Sequence, residues 1–476
     1  MSDQPGAVLP QKMTIPAILA FAASTVPISG IGVALTIYLQ PYMASALGVP
    51  LLVVAGSWFT VRMLDFGIDV ALGVMMDRFR SRWGRYRVWF VGGAPILMLG
   101  TYMLYMAPPG IDQAYIVAWL FVFYLGTSIF GLSHAAWAAT LVTTYNERSR
   151  VFGLMAPVGI LGALIVLALP AIAEKTGHAG EAVHWMGWFG IILLPITVAI
   201  VVMSTPERIA PETAKHETLP LREYWDIIKR PSFLRLLIGE AGLVLGPGWM
   251  SALYVFFFTH SRGFTPGSSG LLLMVYVVAG TIGAPAAAWL AIKIGKHNTL
   301  FATTTSYSLG LLTVMLIPHG NFLAAIPTMI WCGFMASGFG LMTRAMTADF
   351  GDEIRLEQGK ERITMLYSFT ALAAKVAGAF AGVFTYWVLA RIGFDPKEGA
   401  VNTPEAIRGL ELAYMIGPVV FVMLGGACFL GWNLDARKHA DIRTQLDERD
   451  AALARAPSGH QQDELAPVVE SLTGPS

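Results

Sequence analysis

Residues 61–87 read VRMLDFGIDVALGVMMDRFRSRWGRYR. The stretch begins as an apolar segment long enough to cross a membrane and ends in a cluster of arginines. Three charged residues lie within its apolar part: Arg62, Asp65 and Asp69. Because side chains three or four positions apart share one face of a helix, these residues form one stripe. A charged stripe in an apolar helix is typical of residues that face a bundle interior or an aqueous path.

The composition extends this interpretation to the whole chain. Of the 476 residues, 55% are hydrophobic and 13% are charged, whereas a soluble protein is about 25% charged. Apolar runs of about 20 residues recur from end to end, and each can span a hydrocarbon layer about 30 Å thick as a helix. The formal net charge of +1 gives no field that would attract nucleic acid. The sequence therefore predicts an all-α membrane protein.

The apolar runs predict twelve transmembrane helices in two groups of six. The expected helices lie near residues 13–39, 50–76, 87–107, 113–142, 151–173, 183–203, 233–260, 268–292, 298–317, 321–347, 363–391 and 409–432. The predicted domains are an N-terminal segment (1–12), a six-helix bundle (13–203), a polar linker (204–232), a second six-helix bundle (233–432) and a tail (433–476) that combines a solvated helix with disorder. Cys332 and Cys428 lie in apolar runs, which indicates packing residues.

Lys and Arg residues are distributed unevenly between the two sides. With the N-terminus inside, the inner segments hold about 24 of the 32 basic residues and the outer loops hold about five. Cytoplasmic loops accumulate Lys and Arg, so both termini are expected in the cytoplasm. We expect a multi-pass protein of the cell inner membrane that acts as a monomer in the lipid bilayer, without a nucleic-acid partner.

Helix geometry places a basic residue of the second half level with the acidic stripe of the first. A rise of about 1.5 Å per residue puts Asp69 about 10 Å, Asp65 about 17 Å and Lys375 about 18 Å from the inner membrane surface. Two carboxylates one turn apart form a candidate cation site. A static pair of Arg62 with Asp65 is an alternative that leaves Asp69 unexplained. For Lys375, a link to Asp65 across the halves is favoured over snorkelling to the interface.

Twelve helices in two bundles around a central cavity are the organisation of the major facilitator fold. Within that fold, the pattern R-x-x-D-x-x-x-D-x-x-x-G-x-x-x-D-x-x-R-S-R-W-G-R from Arg62 to Arg85 resembles the helix 2 signature of the glycoside-pentoside-hexuronide:cation symporters, the melibiose permease group. Four further stretches agree with that family: WAATLVTTYNERSR, YVFFFTHSRGFTPGSSGLLLMVY, ADFGDEI after helix 10 and YSFTALAAKVAGAFAG. The resemblance covers about residues 13–435.

The resemblance implies a secondary transporter in which a solute moves with a coupling cation. It assigns the cation site to Asp65 and Asp69, with Arg62 and Lys375 beside them. An asparagine that helps to ligate Na⁺ in the family is Ile68 here, which favours H⁺ over Na⁺. The resemblance also implies that Trp137 lies beside the substrate.

Several sugar-binding positions of the family differ in this chain. Two carboxylates and an arginine that hold galactosides fall on Ser29, Ser133 and Ala156, which puts melibiose-like sugars in doubt. The candidate substrate residues are Trp137, His134, Ser133, Ser29 and Tyr124. His134 has three interpretations: a proton relay, a hydrogen bond to substrate, or a side chain satisfied by a neighbouring helix.

The basic loop after helix 2 has an orienting role and is also a candidate cytoplasmic gate. The candidate gate residues are Asp77, Arg82 and Arg85, since Asp77 can cap helix 2 or pair with arginines. Glu240 is a second intramembrane carboxylate, which either lines the inner mouth or pairs with Arg344.

The sequence thus predicts cation-coupled (H⁺ or Na⁺) symport of a sugar, glycoside or uronate, with no cofactor besides the coupling cation. The rival within transport is an amphiphilic or aromatic anion or a lipid-like solute. A membrane enzyme is disfavoured because the spans show no metal-ligand spacing, catalytic triad or phosphate-binding loop. A receptor or scaffold is the remaining alternative.

Overall fold

The computed structural model describes residues 13–78, 81, 83–141, 145–207, 226–359, 362–397 and 399–455. Within these ranges the regular structure is helical, and twelve helices are long and apolar enough to cross a membrane. In chain order they are α1 (Ile15–Ser45), α2 (Leu51–Arg78), α3 (Arg87–Tyr105), α4 (Gln113–Leu141), α5 (Tyr145–Lys175), α6 (Ala182–Ser204), α7 (Pro231–Ser261), α8 (Pro266–Ile294), α9 (Lys296–Leu316), α10 (Phe322–Gln358), α11 (Ile363–Arg391) and α12 (Pro404–Ala427). A further helix, α13 (Ala436–Arg455), follows them.

Local sequence signals set several helix starts. Thr265 precedes Pro266, and its hydroxyl accepts a hydrogen bond from the Ser268 N–H at 3.1 Å, which caps α8. Thr403 caps α12 in the same way, followed by Pro404. Such caps satisfy backbone N–H groups that have no partner within the helix.

Four helices differ from their predicted bounds by five residues or more. Helix α1 ends at Ser45 rather than 39. Helix α10 continues to Gln358, eleven residues past the predicted end at 347, so the ADFGDEI stretch lies on this helix rather than after it. Helix α5 begins at Tyr145 rather than 151, and α12 spans Pro404–Ala427 rather than 409–432. Hydropathy locates only the apolar part of a helix, and polar turns beyond the bilayer escape it. The predicted N-terminal segment, linker residues 208–225 and tail residues 456–476 lie outside the described ranges.

Each half is held together by close helix crossings at glycines. In the first half, a Cβ on Gly100 of α3 would lie 2.7 Å from the Phe123 Cα of α4, and Gly126 approaches α3 equally closely. In the second half, a Cβ on Gly283 of α8 would lie 2.8 Å from the Phe334 Cα of α10. Small residues let helix backbones approach where a bilayer supplies no hydrophobic driving force.

The two halves meet along α2 with α11 and along α5 with α8. We call the membrane side that carries the start of α1 and the end of α12 the terminal face, and the other side the opposite face. At the opposite face, the Glu174 carboxylate of α5 accepts hydrogen bonds from the Gly267 N–H at 2.5 Å and the Thr265 hydroxyl at 2.9 Å. A Cβ on Gly270 would lie 2.5 Å from the Leu167 carbonyl oxygen. The halves are therefore in direct contact at this face.

The tail helix α13 is docked on the body, which corrects the prediction of a solvated helix. Ile442 and Leu446, one turn apart, are buried at 5% and 0% exposure. His439 Nε2 lies 3.0 Å from Asp352 Oδ2 and 3.3 Å from Asp349 Oδ1, both on the extension of α10. Charged residues surround these two leucine and isoleucine positions, so the apolar stripe does not stand out in the sequence.

Candidate functional site

A cavity of about 370 Å³ lies among α1, α2, α3 and α4, and α11 contributes one side chain to it. Its lining combines a charged end with an apolar wall. The residues that line it are Ile28, Ile31, Gly32, Leu35, Thr36, Arg62, Asp65, Asp69, Leu97, Phe123, Tyr124, Thr127, Ser128, Gly131, Leu132 and Lys375. The size is within the range of small-molecule binding sites in proteins.

The charged end joins the two halves of the protein. Lys375 Nζ of α11 lies 3.3 Å from Asp65 Oδ2 and also contacts Asp69 Oδ2, both on α2. Asp65 Oδ1 accepts a hydrogen bond from the Ser128 hydroxyl of α4 at 3.0 Å. The structure thus contains the predicted contact between Asp65 and Lys375, and adds Asp69 as a second partner. Both carboxylates reach one ammonium because they lie one helical turn apart.

The two carboxylates differ in their surroundings. Asp65 is only 3% exposed, and its oxygens face Lys375 and Ser128. Asp69 is 24% exposed, and its Oδ1 atom is buried without a hydrogen-bond partner among the described residues. A buried carboxylate oxygen with no donor is poorly satisfied, so binding a proton or a cation there would be favourable.

Arg62 lies at the same end of the cavity but is held loosely. Its Nη1 atom is 3.7 Å from Asp65 Oδ2, longer than a hydrogen bond, and its guanidinium carbon lies 4.4 Å from the centre of the Tyr124 ring. The side chain is 34% exposed. Stacking on an aromatic face orients a guanidinium while leaving its N–H groups available. The alternative of an isolated Arg62–Asp65 pair does not describe this site, since Lys375 is the nearer partner of Asp65.

Among the predicted substrate residues, Tyr124 lines the cavity and the other four do not. Trp137 is fully buried, and its ring lies edge-on to Phe21 at 5.7 Å and Phe90 at 5.8 Å between ring centres. His134 stacks on Phe21, and its Nε2 atom lies 3.1 Å from the Phe21 carbonyl oxygen. Of its three interpretations, the structure shows a side chain satisfied by a neighbouring helix.

The two serines at the family's carboxylate positions also lie outside the cavity lining. Ser133 is fully buried, and its hydroxyl donates to the Ile129 carbonyl oxygen of its own helix at 2.7 Å. Ser29 faces α5, where a Cβ on Gly159 would lie 2.7 Å from its hydroxyl oxygen. Both positions therefore act in helix packing in this conformation.

Of the three predicted gate residues, the structure describes the side chain of Arg85. Its Nε atom donates to the Met76 carbonyl oxygen at 3.1 Å, and its backbone N–H donates to Glu207 at 2.8 Å. The Asp77 side chain and Arg82 lie outside the described residues. The Glu207 carboxylate also accepts from the backbone N–H of Tyr86, so it caps the start of α3.

Glu240 belongs to the second half and lies outside the cavity lining. Its carboxylate lies near Thr343 and Arg344, both on α10. Among the described residues no ion pair joins Glu240 to Arg344 within 4 Å, so both interpretations of Glu240 stay open.

Ser128 is a candidate site residue that the sequence prediction missed. It donates to Asp65 and lines the cavity. Its position could have been predicted from helical spacing. Ser128 lies four residues after Tyr124 and four before Leu132, so all three share one face of α4. Among the described residues, no group of three or more His, Cys, Asp or Glu side chains is arranged to hold a metal ion.

Known proteins resemble this chain across most of its length. The family described as MFS/sugar transport protein matches residues 20–436. An isoprimeverose transporter of Lactiplantibacillus pentosus is 23% identical, with 87% of this chain and 89% of that protein covered. A sodium-dependent lysophosphatidylcholine symporter of Danio rerio is 22% identical (92% and 90% covered), and a glucuronide carrier protein homolog of Escherichia coli is 22% identical (87% and 91% covered).

The family match extends over both six-helix halves and the whole charged cavity. It agrees with the twelve spans and with charged residues inside the membrane, and it supports transport rather than enzymatic catalysis. The chain belongs to the MFS/sugar transport protein family and is a multi-pass membrane symporter.

Proposed function

We propose that the protein couples the entry of a proton to the transport of a sugar, glycoside or uronate by alternating access. The observation that supports this most is the contact of Lys375, in the second half, with Asp65 and Asp69 of the first half beside a cavity. Protonation of either carboxylate would remove a charge that attracts Lys375. Cation binding would thereby loosen a link between the halves and allow them to rock.

The ligand set favours a proton over Na⁺. Asp65, Asp69 and Ser128 offer oxygen atoms, but Ile68 supplies none, and the Lys375 ammonium already contacts both carboxylates. A proton needs a single oxygen, such as Asp69 Oδ1, whereas Na⁺ needs several ligands at once. One relative is sodium-dependent by name, so the test below varies Na⁺ as well.

We further propose that the protein works as a monomer in the cell inner membrane with both termini in the cytoplasm. The excess of Lys and Arg in the segments of the terminal face supports this orientation. The opposite face would then be the outer one, and the contacts of Glu174 with Gly267 and Thr265 would seal it. The described conformation is then one that is closed on the outer side.

An amphiphilic or lipid-like solute is the second candidate cargo. Six apolar side chains line the cavity: Ile28, Ile31, Leu35, Leu97, Phe123 and Leu132. A relative that carries lysophosphatidylcholine by name gives this candidate independent support.

Uptake into proteoliposomes tests the proposal. A panel of glycosides, uronates and lysophospholipids would be offered under a pH gradient or a Na⁺ gradient, with solute accumulation measured by mass spectrometry. We expect accumulation driven by the pH gradient and unaffected by Na⁺, and its loss in Asp65→Asn. The exposed Glu405 provides the matched control, and Glu405→Gln should accumulate solute normally. Accumulation that requires Na⁺, or that survives in Asp65→Asn, would contradict the proposal.

A further inference from the structure

The tail helix α13 meets the extension of α10 through a cluster of titratable side chains that is separate from the charged cavity. The cluster lies at the terminal face, where α9 begins and α10 ends. Its members come from α9, α10, α13 and the residue that precedes α13. They are Lys296, His297, Asp349, Asp352, Glu353, Asp435, Lys438, His439 and Arg443.

His439 is the member of α13 that contacts two carboxylates with one atom. Its Nε2 atom lies 3.0 Å from Asp352 Oδ2 and 3.3 Å from Asp349 Oδ1. A neutral imidazole with its proton on Nε2 serves mainly one of these carboxylates, and with its proton on Nδ1 it presents a lone pair to both. A protonated imidazole places a positive charge between two negative ones. The charged form of His439 therefore binds this pair more strongly than the neutral form does.

The same two carboxylates also bind cations from other positions. Lys296 Nζ of α9 lies 2.7 Å from each oxygen of Asp349, and Arg443 Nη1 lies 3.5 Å from Asp352 Oδ1. Asp349 and Asp352 are three positions apart on α10, so they share a face and repel each other when both are ionised. A positive charge on His439 reduces this repulsion and joins α13 to the contact between α9 and α10.

The other polar contacts of α13 involve residue types that ordinarily keep their charge near neutral pH. Lys438 Nζ lies 2.6 Å from Glu353 Oε1, and Arg355 Nη2 lies 2.9 Å from Asp450 Oδ2. Histidine is the side chain that ordinarily changes its charge between about pH 5 and 8. His439 is the one histidine in the sequence of α13, so it is the group of this helix whose charge follows the pH.

His439 is accessible to protons from the solvent. It lines a cavity of about 400 Å³ among α8, α9, α10 and the start of α13, and its side chain is 24% exposed. Lys296, His297, Asp349 and Asp435 line the same cavity. The Asp349 side chain is 11% exposed, so the carboxylate is more shielded from solvent than the imidazole that contacts it. The charge of His439 can therefore respond to the pH at the terminal face.

We infer that His439 is a pH-sensitive switch for the docking of the tail helix. Protonated His439 holds α13 on the extension of α10. As the pH at the terminal face rises and His439 loses its proton, the docking weakens and α13 leaves the body more often. The switch does not involve Asp65, Asp69 or Lys375, so it is independent of the cation that drives transport.

Hydrogen–deuterium exchange of Ala436–Arg455 in the purified full-length protein tests the switch. Wild type and His439→Gln are compared at the same pH, so that the pH dependence of chemical exchange cancels. At mildly acidic pH, α13 should exchange at least about fivefold faster in His439→Gln, because glutamine carries no charge for the two carboxylates. At mildly alkaline pH the two proteins should agree within about twofold. Equal exchange at acidic pH, or a difference of the same size at both pH values, would overturn the inference.

Two further variants separate the charge of His439 from its packing and from the second histidine of the cavity. His439→Lys keeps a positive charge at both pH values, so its α13 should exchange more slowly than wild type at mildly alkaline pH. His297→Gln should keep the pH response of the wild type. Faster exchange in His439→Lys than in wild type at alkaline pH would contradict the role of charge. Loss of the pH response in His297→Gln would assign the switch to the wrong histidine.

The wild type alone also tests the inference, should a variant fail to fold. The protection factor of α13, which compares its exchange with that of an unstructured peptide at the same pH, should fall at least about fivefold from mildly acidic to mildly alkaline pH. The protection factor of α12 (Pro404–Ala427) should stay within about twofold and serves as the internal control. A constant protection factor in α13, or an equal fall in α12, would overturn the switch.

Discussion

At the scale of single residues, the molecule depends on two aspartates that share one lysine from the other half. Asp65 and Asp69 are close in sequence, while Lys375 is about 300 positions away. Charged groups inside a membrane protein persist where they are paired or line a polar cavity, and these three satisfy both conditions. The contact is therefore structural and, on our proposal, also the element that responds to the coupling cation.

Removing the lysine should destabilise the protein measurably. Lys375→Ala leaves two carboxylates without their cation, and we expect a loss of about 2 kcal/mol in unfolding free energy, the scale of a hydrogen bond between charged groups. Titration with a denaturing detergent at neutral pH measures it. Lys397→Ala, at an exposed loop lysine, serves as the control. The double variant Asp69→Asn/Lys375→Ala should recover part of the loss, and a double variant less stable than Lys375→Ala would refute the account.

At the scale of helices, the sequence predicted which segments span the membrane and missed how their polar ends pack. The apolar parts of all twelve spans overlap the predicted ranges. The extension of α10 was missed because its residues are polar. The docking of α13 was missed because it rests partly on charged residues, and a charge pattern does not identify its partner. Asp349 illustrates this, since it pairs with Lys296 of α9 at 2.7 Å and with His439 of α13.

The docking of α13 yields a prediction with a control on the same helix. Leu446→Asp places a charge at a fully buried position and should release α13 from the body. Hydrogen–deuterium exchange should then rise throughout Ala436–Arg455. Thr444→Asp, at an exposed position of the same helix, should leave exchange unchanged. Equal exchange in the two variants would show that Leu446 does not hold the helix.

The crossing of α5 and α8 yields a prediction about conformation. Gly270→Ala puts a methyl group 2.5 Å from the Leu167 carbonyl oxygen, so the opposite face could not close as described. Spin labels at the exposed positions Lys175 and His319 should report longer distances by electron–electron double resonance. Gly92→Ala, where a Cβ meets nothing within 4 Å, is the control. An unchanged distance distribution in Gly270→Ala would contradict the close crossing.

At the scale of the whole molecule, the sequence was sufficient for the architecture and for half of the site. The stripe of Arg62, Asp65 and Asp69 follows from helical periodicity, and Lys375 follows from depth in the bilayer. Trp137 and His134 were expected beside the substrate, but the structure packs them against Phe21. The face of a membrane helix that lines a cavity is determined by the neighbouring helices. In an apolar segment without a clear polar face, the sequence does not show which face that is.

The charge balance of the site is also a property of the whole molecule. The site is assembled from both halves, so its net charge is a property of the assembled protein and not of either half. The first half alone would carry one excess negative charge from Arg62, Asp65 and Asp69, and Lys375 cancels it. A change in the number of bound cations therefore changes the electrostatic attraction between the halves.

The central claim is that a proton neutralises Asp65 or Asp69 of α2. Infrared difference spectroscopy of the reconstituted protein tests this claim most directly. Between neutral and acidic pH, the wild type should gain the carbonyl band of a protonated carboxylic acid. That gain should be smaller in Asp65→Asn/Asp69→Asn and unaltered by Na⁺. A band of equal intensity in the double variant, or its removal by Na⁺ at constant pH, would contradict the account.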